Sequence, residues 1–184
     1  MSAKTSEQYQ QVVNDCKDIF FKKMHDYGTA WRILRTSSIT DQIFIKANRI
    51  RTIQQVGESK VEEGVKPEFI GIINYSVMAL IQLELMEDDE LNLGEEYTKE
   101  LYEKYVDEAF NLMNRKNHDY GEAWRDMRIT SITDIILMKL YRVKQIEDNE
   151  GKTVVSEGIL ANYQDMLNYA VFCLIKLTEE NENN

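Results

Sequence analysis

The chain writes nearly the same eight residues twice, HDYGTAWR at 25–32 and HDYGEAWR at 118–125, with both of its histidines inside them. The offset of 93 residues from His25 to His118 also aligns Lys23 with Lys116, Arg35 with Arg128, Ser38 with Ser131 and Thr40 with Thr133. It continues through Asp41/Asp134, Lys46/Lys139, Arg49/Arg142 and Ile53/Ile146. After one inserted residue the offset becomes 94 and matches Glu63 with Glu157, Gly64 with Gly158, and Asn74-Tyr75 with Asn168-Tyr169. Two copies this close imply two similar substructures. The expected division is 1–92 and 93–184, packed as one globular unit, with the acidic stretch MEDDELNLGEE at 86–96 as the connection.

Each copy reads as three helices. The first is expected over 6–26 and 97–119, where Val12, Val13, Cys16, Ile19 and Phe20 recur at helical spacing. Gly28 and Gly121 follow, suited to a left-handed helix terminus. Ser38-Ile-Thr-Asp41 and Ser131-Ile-Thr-Asp134 have the pattern of N-caps, a hydroxyl with an acid three residues on, and predict second helices over 39–55 and 132–148. The third helix is expected from Pro67, tolerated in a first turn, to about 87, and its counterpart over 157–179. No alternating strand pattern is present. With a single proline and eight glycines to interrupt it, the chain is expected to be all-α, a helical bundle of two pseudo-symmetric three-helix repeats.

Composition narrows the function. A net charge of -10 repels phosphate backbones, so non-specific nucleic-acid binding is not expected, although a local basic pocket can still take a small phosphorylated ligand. Cys16 and Cys173 occupy unmatched repeat positions within apolar helical patterns and read as reduced core thiols, which points to a cytoplasmic protein. The polar start MSAKTSEQYQ lacks the apolar region of a signal peptide, and no run approaches the roughly 20 apolar residues of a membrane span. The tail TEENENN is expected to fray.

Some residues fit a plain bundle poorly. Ile43, Lys46, Ile50 and Ile53 fall on one helical stripe, as do Ile136, Lys139, Val143 and Ile146. An inward lysine must snorkel, pair with a carboxylate or meet an anionic ligand. Arg49 and Arg142 lie one turn further on. On a structural account these cations pair with Asp41, Glu63 and their repeats; on a functional account they cradle phosphate together with Arg32, Arg35, Arg125 and Arg128. Tyr27 and Trp31, with Tyr120 and Trp124, either close a helix end or stack on a base. Asp41 and Asp134 complete this candidate ligand-binding set. Asn74 and Asn168, in apolar surroundings, either bond across the bundle or, for Asn168 on the same face as Asp165, lie beside an ion. Glu157 and Asp165 are the candidate metal ligands, with Mg2+ as the ion; the first copy has Gly71 opposite Asp165. Two histidines without HxxxH or cysteine partners are a poor zinc signal, and there is no glycine-rich phosphate loop, nucleophile elbow or Cys–His constellation with recognisable spacing. No catalytic residue stands out.

The pattern K-x-x-D-Y-G-x-A-W, then R-x-x-S-x-x-D, K-x-x-R-I and a helix carrying N-Y, resembles the nucleotide modification associated domain family of bacteria and phages. The matching positions are Lys23, Asp26, Tyr27, Gly28, Arg35, Ser38, Asp41, Lys46, Arg49, Asn74 and Tyr75, with a second set in the C-terminal half. The resemblance covers nearly the whole chain in a tandem form and implies a connection with nucleotides, without fixing a reaction. A more distant similarity is to the all-α nucleoside triphosphate pyrophosphatases of the MazG and dimeric dUTPase type. It would imply magnesium-assisted pyrophosphohydrolysis, but Lys46-x-x-Arg49 and Lys139-x-x-Arg142 stand where that class has its first acidic pair. Two readings therefore stay open. In one the chain binds or processes a nucleotide or related phosphorylated small molecule through inward Arg and Lys; in the other it is a non-catalytic helical scaffold. Homo-oligomer formation is a further candidate property.

Overall fold

The computed structural model describes residues 2–57, 64–150 and 158–182. Among them are six α-helices, α1 (Ala3–Tyr27), α2 (Thr36–Val56), α3 (Lys66–Glu84), α4 (Glu95–Tyr120), α5 (Ile129–Asp148) and α6 (Ile159–Glu182), and no strand. The all-α bundle with two sets of three helices is therefore present. None of these helices is long and apolar enough to cross a membrane.

α3 and α6 are the most apolar helices and pack on each other at the centre. A helix that is apolar nearly all round must be covered on several sides. α2 packs on α3 and α5 on α6, with α2 and α5 also in contact, while α1 and α4 cover the opposite side. Each of the three layers thus takes one helix from each repeat.

The layers are joined by a polar network that the duplication repeats. Tyr9 on α1 donates to Asn168 Oδ1 on α6 at 2.7 Å, and Asn168 Nδ2 donates to the Ala109 carbonyl on α4 at 2.9 Å. Its image is Tyr102 on α4 donating to Asn74 Oδ1 on α3 at 2.9 Å, with Asn74 Nδ2 donating to the Cys16 carbonyl on α1 at 3.0 Å. The two asparagines therefore bond across the bundle, and each ties together helices of both repeats. Burial pushes both tyrosine hydroxyls well above their ordinary pKa, so they remain donors.

The ends of the second helices differ from expectation. α2 and α5 begin three residues earlier, with Arg35 and Arg128 as extended N-cap residues that make no side-chain cap. The reason is a single 3-10 turn, Ala30–Ile33 and Ala123–Asp126, which delivers the chain to the helix sooner. Ser38 and Ser131 thus lie inside the first turn, and Thr40 and Thr133 bond back to the carbonyls of Thr36 and Ile129. Gly28 and Gly121 do take positive φ (59° and 62°), but with ψ of -146° and -160° they leave the left-handed helical region for one open essentially to glycine alone. The tail is ordered further than expected, with α6 helical through Glu182.

At the α2–α5 contact the two copies diverge. Gln54 donates to Thr133 at 3.0 Å; at the matching place Glu147 accepts from Thr40 at 2.9 Å, with the Tyr163 hydroxyl 2.6 Å from Thr40. Burial raises the Glu147 pKa and Asp41 adds to this, against the hydrogen bonds from Thr40 and Tyr163 and the charge of Lys144. A raised carboxylate pKa means that the folded state binds the proton more tightly than the unfolded one. This contribution therefore falls as pH rises through the window between the two pKa values, and the penalty is complete above it. Glu147→Gln, which restores the chemistry of Gln54, is expected to melt at a higher temperature than the parent at pH 7. That difference should vanish at a pH below the ordinary carboxylate range, as checked by melting curves across pH.

Candidate functional site

The inward lysines of α2 and α5 meet acids from the third helix of their own repeat, but not at matching positions. In the first half Lys46 Nζ lies 3.3 Å from Glu68 Oε2, and Arg49 pairs with the other carboxylate oxygen. In the second half Lys139 Nζ lies 2.7 Å from Asp165 Oδ2 and Lys116 Nζ 2.6 Å from Asp165 Oδ1. With the offset of 94, Asn162 replaces Glu68, and Asp165 replaces Gly71 one helical turn later. The acid has thus moved along the helix by a turn, and the lysine has followed it. In the first half the Lys46 chain lies across bare Gly71, where an added Cβ would come within 2.5 Å of Lys46 Cε, and Nζ sits 5.9 Å from the Tyr75 ring centre.

The Lys116–Asp165–Lys139 cluster opens into a pocket of about 500 Å³. Trp124, Phe172, Met113 and Met127 give it apolar walls, with Asn117, Asn168, Tyr169 and Tyr120 adding polar atoms. Trp124 is 5% exposed, stacks on Phe172 with ring centres 4.3 Å apart, and has an indole N–H with no hydrogen-bond partner among the described residues. Asp165, at 4% exposure, holds both ammonium groups at the pocket. Such a set can bind an anionic group at the lysines and an aromatic or apolar group along the walls.

The structure separates the other candidates. Tyr120 reaches the pocket while remaining exposed, as does Tyr27 at the smaller hollow of the first half, which Trp31 also lines. Arg32 and Arg125 are engaged elsewhere. Buried Arg32 donates to the Gln82 side chain and to the carbonyls of Leu85, Asp88 and Glu90, while Thr29 donates to the Leu91 carbonyl at 2.7 Å. The arginine and threonine together fasten the connection that leads into α4. Arg125 covers the Trp124 ring at 4.4 Å and bonds Glu122, Thr5, Gln8 and Glu179. Glu122 in turn accepts from the Ser2 amide at 2.8 Å; against the cost of burial, this and the bonds from Arg125 and Thr5 hold its carboxyl down at about 2. The second octapeptide therefore clamps the start of α1, and the first fastens the connection that precedes α4.

Arg35 and Arg128 are exposed at their helix starts, outside the pocket lining. Asp41 pairs with Lys144, and Asp134 lies 3.8 Å from Arg51, so these acids bridge α2 and α5 and do not neutralise Lys46 or Lys139. Arg49 is paired with Glu68, and exposed Arg142 has Asn162 where Arg49 has that acid. His25 and His118 stand exposed beside Asp26 and Asp119. Glu157, like Glu63, lies outside the described residues. Asp165, placed between two ammonium groups, is in surroundings that disfavour a cation, and no three metal-ligating side chains gather among the described residues.

The sequence candidates did not include Lys116, Asn117 or the Met113, Met127, Tyr169 and Phe172 walls. A signal for Lys116 was present, since it stands in the repeated K-x-x-D-Y-G pattern. No curated protein and no solved structure matches the chain significantly. The profile of nucleotide modification associated domain 1 matches residues 23–83 and again 116–177, well over half of the sequence. With the octapeptide, second helix and third helix present in each matched segment, the chain belongs to the nucleotide modification associated domain 1 family in a tandem form.

Proposed function

We propose that this protein binds a nucleotide or a related phosphorylated small molecule in the pocket of its C-terminal half. The observation that carries this reading is the pair of lysines held by one buried carboxylate at a pocket of about 500 Å³ with aromatic walls. Ligand pockets run from about 300 to about 1,000 Å³, so the size is sufficient for such a molecule. Lys116 and Lys139 meet the phosphate, the Trp124 side of the pocket receives the base, and the unpartnered indole N–H offers it a donor. Asp165 fixes both ammonium groups in place before the ligand arrives, which lowers the ordering cost of binding. The family's association with nucleotide modification supports the same ligand class.

Isothermal titration and thermal shift against nucleoside mono- and triphosphates, with and without Mg2+, test this. At least one should bind, and Lys139→Met should weaken it by about 10-fold or more, the loss of one charge-assisted contact worth about 1.5–3 kcal/mol. Absence of binding by every member of the panel would remove the proposal. The scaffold reading is favoured for the octapeptide arginines, whose bonds are all internal to the fold.

A further inference from the structure

The two halves carry the same hollow in very different states. In the first half the matching residues Phe20, Lys23, Met24, Tyr27, Trp31 and Met78 surround only about 160 Å³. That is well below the range of ligand pockets. Two replacements alter its lining. Phe20 stands where the second half has Met113, its ring 6.3 Å from Trp31 and 5.0 Å from Tyr102, and Met24 stands where the second half has Asn117. The third change is the acid. With Glu68 one turn away, Lys46 is drawn to it beside Arg49, and neither it nor Gly71 lines the hollow. The counterparts Lys139 and Asp165 both do so in the second half.

We propose that each chain has one site for a phosphorylated small molecule, formed by Lys116, Lys139 and Asp165, and that the first half is a closed copy whose charges serve the fold. This rests on the nucleotide-binding reading above. Physically, a lysine committed to a 92%-shielded carboxylate that it shares with an arginine is unavailable to an incoming anion, because a competing ligand would strand Glu68 without one of its partners. In the second half both cations that share the acid are lysines lining the pocket, no arginine pairs with it among the described residues, and a ligand phosphate can join the two ammonium groups without displacing Asp165.

The test is titration calorimetry of the full chain with the mono- and triphosphates of adenosine, guanosine, cytidine and uridine as probes, reading stoichiometry, followed by Lys116→Met and Lys23→Met. One probe molecule per chain is expected, with affinity falling at least 10-fold in Lys116→Met and staying within about 2-fold in Lys23→Met. Two equivalents per chain, or a Lys23→Met loss as large as that of Lys116→Met, would overturn the single-site proposal while leaving nucleotide binding intact. No binding by any nucleoside mono- or triphosphate would overturn both. Because stoichiometry is read on the unaltered protein, a variant that fails to fold does not shelter the proposal.

Discussion

Asn168→Ala is expected to destabilise the protein by about 3 kcal/mol, lowering its melting temperature by roughly 6–12 °C for a chain of this size. The side chain accepts from Tyr9, whose ring is fully buried, and donates to the Ala109 carbonyl. Truncation leaves a buried phenolic hydroxyl without its partner, costing about 1–3 kcal/mol, and adds a cavity in a close-packed centre. Asn74→Ala, its image beneath Tyr102, should lose a similar amount. Tyr9→Phe removes the stranded hydroxyl and should cost less than Asn168→Ala. Thermal or urea unfolding of the three variants checks this order, and an Asn168→Ala protein as stable as the parent would show that the network does not hold the layers together.

Arg32→Ala is expected to cost about 3 kcal/mol as well, for a different reason. Its guanidinium is 6% exposed as a residue and spreads its donors over the Gln82 side chain and three carbonyls of the connection. A hydrogen bond to a charged group contributes about 1.5–3 kcal/mol net, and carbonyls that reach water once the arginine is gone recover part of the sum over several such bonds. Arg32→Lys should recover little, because a single ammonium cannot reproduce the planar fork. The accompanying expectation is faster proteolysis within 86–94, since Arg32 and Thr29 are what fasten that segment. Nucleotide affinity should stay near that of the parent, which separates a clamp from a phosphate ligand.

Much of this fold was legible because its helices are amphipathic or apolar in runs long enough to read. Val13, Cys16 and Phe20 recur at the right spacing and are buried together. The starts of α2 and α5 were misread because the Ser–Asp pattern resembles a cap, whereas the preceding 3-10 turn, invisible to periodicity, had already set the helix going. The inward direction of Lys46 and Lys139 followed from their stripe; their partners did not. Glu68 and Asp165 sit on different turns of equivalent helices, so repeat alignment points away from them. The pocket was hidden for a related reason. Lys116, Lys139 and Asp165 lie on three helices, and only packing brings them together. The arginines of the octapeptide misled in the opposite sense, as cations in a recurring motif whose donors are taken up within the fold, those of Arg32 by Gln82 and backbone carbonyls and those of Arg125 by the side chains of Glu122, Thr5, Gln8 and Glu179.

The reciprocal docking of the two copies has a consequence for synthesis on the ribosome. Tyr9 finds its acceptor 159 residues later, and Thr5 meets Glu122 and Arg125 only after a gap of more than a hundred. A nascent N-terminal half therefore emerges with the apolar side of α1 and the centre of α3 uncovered, and must wait for α6 before its layers can close. Native contacts so distant along the chain slow the search and lengthen exposure to unwanted association.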